Sequence, residues 1–343
     1  MHIARLQKRY LTEHQSNSRS ILGSCQCPTG FHGEKAFNVT SRPPVENARD
    51  IKVCNLNLHS SILKPHTMSL TKEEIEAHFE RAAETYEDNF PLMKVYAAAA
   101  INSVPPITPS SVVHDNASGP GIVAGVILSS PSFASGSELP KIHATDLSNA
   151  MIKILKKKPW ADKVDAQVMN SLELTFPDAT FTHSFTNFTL MMMPLDDAKK
   201  AAAEIYRTLQ PGGTAEVSTW QKLGPMDLFK EVVQQIKPDA VVHDVGPIRA
   251  HWMAQEMLRD VLVAGGFKTE QIEIKAVARD IPGSMWGKEG MQSFNQILTK
   301  QVTESWEDGE REAFLKALEE RIAQEQKEPR NYQMIAWIAV AKK

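Results

Sequence analysis

The stretch Ser111-Val-Val-His-Asp-Asn-Ala-Ser-Gly-Pro-Gly121 predicts a short buried strand, a glycine turn and a helix that begins at Ile122. The two adjacent valines favour a strand that is covered on both faces, as in a parallel sheet. Gly119 and Gly121 allow a ligand to approach bare backbone, although such a turn also needs glycine for its geometry alone. The stretch therefore indicates an α/β fold with a ligand site at the end of this strand.

Asp115 places a carboxylate at the end of the same strand, where parallel sheets bind ligands. A helix N-terminus favours anions, but this turn already carries a negative charge. A cationic or hydroxyl-bearing ligand therefore fits better than a pyrophosphate. The Gly-x-Gly-x-x-Gly order of dinucleotide sites is also absent, which disfavours a dehydrogenase.

Alternating strands and helices continue along the chain. The segment Lys141 to Asp146 is a second strand that ends in a carboxylate, and Ser148 caps the helix that follows it. Further strands are predicted at 165–170, 180–187, 215–220, 271–281 and 332–341, and further helices at 195–209, 225–236, 252–264, 288–302 and 307–327. The Ser/Pro/Gly-rich segment 129–140 is expected to form a surface loop.

At this point the sequence resembles the class I S-adenosylmethionine-dependent methyltransferases, most closely their fungal small-molecule members. The resemblance covers about residues 71–343. It rests on four motifs: Asp115-x-Ala117-x-Gly119-x-Gly121, Asp146-Leu-Ser148-x-x-Met151, Asn170-Ser171-Leu, and Leu209-Gln-Pro-Gly-Gly213 before a strand. It implies a Rossmann-like, seven-stranded, mostly parallel sheet with an antiparallel C-terminal strand, helices on both faces and an N-terminal helical cap.

The resemblance also implies a cofactor, S-adenosyl-L-methionine, and residues that would bind it. Asp115 would face its amino end, the turn from Ala117 through Gly119 to Gly121 would approach its methionine part, and Asp146 would bind both ribose hydroxyls. Met151, Asn170 and Ser171 would lie at the adenine. Ala117 replaces a frequent glycine and Asn170 a common acid, so weaker binding is expected, because an amide still accepts a hydrogen bond.

The residues for the methyl acceptor are less defined. Three histidines, His183, His243 and His251, are candidate bases, although a lone histidine is more often structural, and the catalytic residue stays unknown. Trp220, Trp252 and Met253, with the methionines of 190–193, predict an apolar substrate wall, although core packing explains each methionine equally well. The predicted activity is O- or N-methylation of an apolar metabolite, as in secondary metabolism.

No metal site is expected. Metal-dependent methyltransferases place carboxylates after the fourth strand, whereas Thr186-Asn187-Phe188 offers none. Asp196 and Asp197 are expected to favour the positive end of their helix. The three cysteines, at 25, 27 and 54, have neither zinc spacing nor an even count.

Composition restricts the other classes of function. A net charge of -3 provides no basic surface for nucleic acid, and the apolar run 188–194 is too short to span a bilayer. A soluble, cytoplasmic protein with a small-molecule partner is expected, and its oligomeric state is undetermined. Two alternatives share the motifs: a regulatory or interaction protein that keeps the cofactor fold, and an enzyme that catalyses a non-methylating rearrangement.

The first 67 residues lack a sustained hydrophobic period and are predicted to be a disordered extension. A transit peptide is the alternative for their beginning. Met68 is a plausible initiator, which would make the extension a gene-model artefact and 68–343 the methyltransferase domain. Thr71 and Glu74 form a capping box for the first of two cap helices, on which Tyr86 and Phe90 are candidate lid residues.

Overall fold

The computed structural model describes residues 77, 79–90, 92–133, 137–240, 250–287, 292–303 and 305–343. The predictions for 1–67, the capping box and His243 lie outside these residues. The strands are β1 Val112–Asn116, β2 Lys141–Asp146, β3 Val164–Val168, β4 Phe181–Asn187, β5 Leu209–Leu223, β6 Ile272–Pro282 and β7 Asn331–Lys342. The α-helices are α1 Tyr86–Asn89, α2 Leu92–Ile101, α3 Ile122–Leu128, α4 Asn149–Leu155, α5 Leu195–Thr208, α6 Pro225–Ile236, α7 Gln255–Ala264, α8 Gln292–Thr303 and α9 Asp308–Lys327.

The strands form one sheet in the order β3-β2-β1-β4-β5-β7-β6. Strands β1 to β5 pair in parallel, and β7 is antiparallel to both β5 and β6. The chain winds outward from β1 in one direction and from β4 in the other. Because such crossovers are right-handed, the two halves place their helices on opposite faces. The predicted fold is confirmed, and its crevice lies where β1 and β4 diverge.

The central strands are buried because their side chains meet helices. Val113 and Phe185 are fully buried with the apolar side of α3. Tyr96 of α2 donates a hydrogen bond to the Met334 carbonyl of β7 at 3.0 Å, which fixes the N-terminal cap to the sheet. Gly265 lets the end of α7 approach α5, because a Cβ there would lie 2.6 Å from the Ala202 backbone.

Two element boundaries differ from the sequence prediction. Strand β5 is longer than predicted, because β7 pairs with it as far as Leu223, beyond a bulge after Trp220. The helix predicted to begin at Trp252 begins at Gln255, and Trp252 lies in a separate 3-10 turn, Ala250–Met253.

The insertion between β6 and β7, which contains α8 and α9, is fixed by the buried carboxylate of Glu325. Its Oε1 accepts a hydrogen bond from the Tyr332 hydroxyl at 2.6 Å, and its Oε2 accepts one from the Arg330 amide at 2.7 Å. The guanidinium of Arg321 also pairs with it. Within the residues that are described, no helix is long and apolar enough to cross a membrane.

Candidate functional site

A cleft opens at the carboxyl ends of β1, β2 and β4 and continues to the residues that follow β3. The residues that line it come from four loops and from the N-terminal cap. They are Phe79, Tyr86, Ala117, Gly119, Asp146, Leu147, Ser148, Met151, Asn170, Ser171, Leu172, Asn187, Phe188, Thr189, Met192, Met193, Pro194 and Asp197.

Asp146 occupies the centre of one side of the cleft. Its Oδ2 accepts a hydrogen bond from the Gly119 amide at 2.8 Å, and its Oδ1 accepts one from the Ser148 amide at 2.8 Å. Burial raises the pKa of this carboxyl, while the two amides oppose that rise. Two backbone donors thus fix its orientation, and each oxygen keeps a lone pair for a ligand hydroxyl.

The turn after β1 is left-handed at three positions, Ala117, Gly119 and Gly121. Gly119 has a φ of +54°, and a Cβ built there would meet no protein atom within 4 Å, so this backbone borders open space. Ala117, which replaces a frequent glycine, has a φ of +53°. The backbone demands a glycine-like conformation at Ala117, and the alanine adopts it at a steric cost.

We expect Ala117→Gly to raise the free energy of unfolding by about 1 kcal/mol, because it relieves a left-handed alanine. Ala179→Gly is the matched control, since Ala179 has a φ of +54° and lies outside the cleft. Urea unfolding of both variants should show a similar gain. A loss of stability in Ala117→Gly alone would contradict the interpretation.

The loop after β3 forms the end of the cleft that the resemblance assigns to adenine. The buried side chain of Met151 lines this end of the cleft. The Asn170 side-chain oxygen accepts a hydrogen bond from the Leu172 amide at 3.0 Å, which closes a turn. The Ser171 hydroxyl donates to the Asn116 side chain at 2.9 Å, and Asn116 donates to the Thr186 hydroxyl at 3.2 Å. Polar groups of β1, β4 and the loop after β3 are thereby tied together under the cleft.

The N-terminal cap covers the same side. Phe79 and Tyr86 line the cleft, and Tyr86 packs between Phe79 and Phe90. Burial raises the pKa of Tyr86 to about 12, and the charge of Asp146 adds to that rise. The predicted lid position of Tyr86 is therefore present in the structure.

Hydrogen bonds and ion pairs fasten this cap to helix α4. The Glu80 carboxylate accepts a hydrogen bond from the Ser148 hydroxyl at 2.8 Å, and Ser148 in turn accepts one from the Met151 amide at 3.2 Å. Farther along the cap, Glu84 pairs with Lys157 at 3.1 Å.

The loop after β4 forms an apolar wall opposite Asp146. Phe188, Met192 and Met193 line this wall. Phe188 has a φ of +54°, and its amide donates to the Ser218 carbonyl at 3.0 Å. Its ring stacks on Trp220 with centroids 4.1 Å apart. Trp220, predicted to contact the substrate, instead supports Phe188 from behind.

Two residues of the glycine motif lie outside the cleft. Asp115 is buried, and its Oδ2 accepts a hydrogen bond from the Ala124 amide of α3 at 3.0 Å. Gly121 faces packing atoms, because a Cβ there would lie 2.9 Å from both Leu155 and Trp160. In the structure Asp115 ties β1 to α3, and Gly121 allows close packing against α4; that they contact the cofactor stays a prediction.

The structure places the acceptor candidates near residue 252 outside the cleft. The Trp252 side chain is fully buried in the core and does not line the cleft. The Met253 carbonyl accepts a hydrogen bond from the Trp337 indole at 2.7 Å, and its side chain packs on the same core. His251, beside Trp252, does not line the cleft either. Trp252 and Met253, two of the residues that suggested a substrate wall, instead lie in a 3-10 turn packed on β5.

His183 is a structural histidine. It lies near the amino end of β4, and its Nε2 is 3.2 Å from the Pro105 carbonyl while its Nδ1 is 2.9 Å from the Thr182 hydroxyl. Burial lowers its pKa. Because the cleft lies at the opposite ends of the strands, His183 is not placed to act as its base.

Sequence reasoning missed several cleft residues. Among them are Asn187 at the end of β4 and Thr189 and Pro194 after it. The sheet topology makes this end of β4 part of the crevice, so the predicted strand order was the signal that could have found them. Asp197 was assigned to the end of its helix, yet it also lines the cleft. Among the described residues, no group of three or more His, Cys, Asp or Glu side chains is arranged to hold a metal ion.

Comparisons with known proteins agree with this geometry. The family described as "Methyltransferase domain" matches residues 117–217. The chain is 30% identical to methyltransferase tpcH of Aspergillus fumigatus over 36% of this chain and 43% of that protein. It is 24% identical to an acetylaranotin bis-thiomethyltransferase of Aspergillus terreus, over 50% of this chain and 60% of that protein. The chain thus matches only about half the length of these relatives.

The [4+2]-cyclase SpnF superposes with a TM-score of 0.48 and 12% identity, over 79% of this chain and 96% of that chain. Residues 117–217 match a methyltransferase domain, and the strand order agrees with the class I S-adenosylmethionine-dependent methyltransferases that the sequence resembles. The chain is similar to fungal methyltransferases, so the resemblance and the cofactor predicted from sequence are confirmed.

Proposed function

We propose that this protein transfers a methyl group from S-adenosylmethionine to an oxygen or nitrogen atom of an apolar small molecule. The observation that carries the proposal is the division of one cleft into two chemically different sides. The residues at and after the ends of β2 and β3 include the polar Asp146, Ser148 and Asn170, whereas the loop after β4 contributes the apolar side chains of Phe188, Met192 and Met193. A polar nucleoside and an apolar acceptor fit these two sides.

The residues present fit the cofactor at three places. Asp146 offers fixed acceptor oxygens to two neighbouring hydroxyls. The open space beside Gly119 leaves room for a ligand against bare backbone. Met151 and the Asn170 loop form a flat, partly polar end that suits adenine. When bound, S-adenosylmethionine supplies a methyl group already activated by a positively charged sulfur.

The chain therefore has little proton chemistry to perform. Its task is to hold the acceptor in line with the methyl group and to exclude water. Tyr86 and Phe79 cover the cofactor side, while the Phe188 ring, held by Trp220 and by its amide bond to Ser218, presents a fixed flat surface. Flexible methionine side chains beside that ring adapt to the shape of an acceptor.

The relatives' names do not define the acceptor atom. One relative is named a bis-thiomethyltransferase, and another is a ubiquinone/menaquinone C-methyltransferase of Desulfotalea psychrophila. The oxygen or nitrogen acceptor proposed here is supported instead by the combination of an apolar wall with carboxylates, which suits an acceptor that donates a hydrogen bond.

Asp146→Ala tests the site. We expect it to weaken binding of S-adenosylmethionine by about 1 to 3 kcal/mol, because the ribose hydroxyls lose their acceptor. Calorimetry measures the Kd, and circular dichroism checks the fold, since the Gly119 and Ser148 amides lose a partner as well.

Asp165→Asn is the matched control for Asp146→Ala. Asp165 is a carboxylate on the neighbouring strand β3, pairs with His143 and lies outside the cleft. An unchanged Kd in folded Asp146→Ala would reject the assignment of Asp146 to the ribose hydroxyls.

Turnover is tested separately, by following the formation of S-adenosylhomocysteine with apolar alcohols and amines as acceptors. Binding of the cofactor without product would favour the regulatory or non-methylating alternative.

A further inference from the structure

The charges that line the cleft have a single sign. Among the described residues that line it, Asp146 and Asp197 are the charged side chains, and none is a lysine, arginine or histidine. Asp146 lies on the side assigned to the cofactor. Asp197 lies on the opposite side, after Met192, Met193 and Pro194. The apolar wall therefore ends in a carboxylate.

Asp197 differs from its neighbour Asp196, although both begin helix α5. The Asp196 side chain is 87% exposed, whereas that of Asp197 is 32% exposed and borders the cleft. Each pairs with a lysine three residues later, Asp196 with Lys199 at 3.3 Å and Asp197 with Lys200 at 3.6 Å. The Lys200 side chain is 67% exposed, and such surface pairs are weak. The Asp197 carboxylate thus keeps acceptor capacity toward the cleft.

We propose that Asp197 binds the amino group of the methyl acceptor as an ammonium and takes up the proton that this nitrogen must lose before its lone pair can accept the methyl group, so that the acceptor is an apolar amine. This inference rests on the proposed function and narrows it. A hydrogen bond between an ammonium and a carboxylate is roughly twice as strong as one between neutral groups, which favours an amine over an alcohol at this position. The same charge repels carboxylate and phosphate groups, for which this cleft provides no positive partner.

The position of Asp197 also suits the selection of one orientation of the acceptor. An aromatic or aliphatic body can lie against Phe188, Met192 and Met193 while its amino group reaches the start of helix α5. Because the Asp197 side chain is only 32% exposed and lies beside apolar residues, the attraction between opposite charges is stronger here than on a fully exposed surface. Asp197 therefore fixes which end of the acceptor enters the cleft.

The test uses three probes with one apolar body: naphthylethylamine, naphthylethanol and naphthylacetate. Their binding is measured by calorimetry with S-adenosylhomocysteine present. The wild-type protein is expected to bind the amine about tenfold more tightly than the alcohol, and the acetate least. Asp197→Asn should remove the preference for the amine with its affinity for S-adenosylhomocysteine unchanged.

Asp196→Asn is the matched control, because it removes the same charge from the same helix end outside the cleft, and it should keep the preference. Equal binding of amine and alcohol by the wild type, or a preference that survives in Asp197→Asn, would overturn this inference and leave the proposed function in place. Failure of the wild type to bind S-adenosylhomocysteine would overturn the proposed function and this inference with it.

Discussion

Replacing Trp252 with alanine is expected to lower the free energy of unfolding by about 3 to 5 kcal/mol, the usual cost of removing a buried tryptophan. Its side chain is fully buried in the main core, in a 3-10 turn that packs on β5. Without the indole, a cavity opens between this turn and the sheet. Urea unfolding followed by circular dichroism measures the loss.

Trp252→Phe is the control that separates packing from ligand binding. It keeps most of the ring and removes an indole nitrogen that has no hydrogen-bond partner within the described part of the chain. A smaller loss, about 1 kcal/mol, is expected. Normal stability in Trp252→Ala together with weaker acceptor binding would instead support the substrate role that the sequence suggested.

Raising the pH from 4 to 7 is expected to lower the free energy of unfolding by about 4 kcal/mol through Asp115 alone. Burial raises the pKa of this carboxyl from its ordinary value of 3.8 to about 7, and the nearby charge of Asp146 adds to the rise. Between these values the folded protein holds a proton that the unfolded chain releases. The stabilisation that Asp115 contributes is therefore fully present below the unfolded pKa and is lost as the pH rises through the folded pKa of about 7.

Glu216 extends this effect. Glu216 of β5 pairs with Phe185 of β4, and Phe185 pairs with Asp115 of β1. The two carboxyl groups therefore lie two strands apart in the sheet. Glu216 is fully buried, and neither oxygen has a hydrogen-bond partner among the described residues. Burial, and then the charge of Asp115, raise its pKa well above the ordinary value. The decline in stability should thus continue as Glu216 ionises.

Glu216→Gln should flatten the decline, because an amide does not ionise. Unfolding free energies at pH 5, 6, 7 and 8 test this expectation for the wild type and the variant. Glu204→Gln is the control: its carboxylate pairs with Arg207 at 2.7 Å, which lowers its pKa, so its loss should leave the decline in place. A stability that rises from pH 5 to 8 would contradict the assignment of Asp115 and Glu216.

Much of the fold follows from local sequence. The strands β1, β2 and β4 are short, rich in apolar or β-branched residues, and bounded by clear turns, so their predicted positions agree with the structure within a residue or two. The same applies to helix α6, whose bounds agree with the prediction. Strand β5 was predicted too short because its length depends on pairing with β7, more than 100 residues later in the sequence.

The cofactor side of the site was partly predictable as well. Ala117, Gly119, Asp146, Met151, Asn170 and Ser171 all line the cleft, because a motif fixes their distance from a strand end. Asp115 and Gly121 belong to the same motif, yet neither residue lines the cleft. Sequence spacing gives the turn but not the direction in which each residue faces.

The sequence by itself thus determined the order of strands and helices, the carboxylate of Asp146 and the glycine turn, since these depend on neighbouring residues along the chain. Only the tertiary structure decided that Trp252 is core, that Trp220 supports Phe188, and that Asp197 lines the cleft. An apolar side chain gains similar free energy in a core and in an apolar cleft wall, so composition does not distinguish them. The difference lies in which distant elements cover each side chain, and that is set by how the sheet and its helices pack.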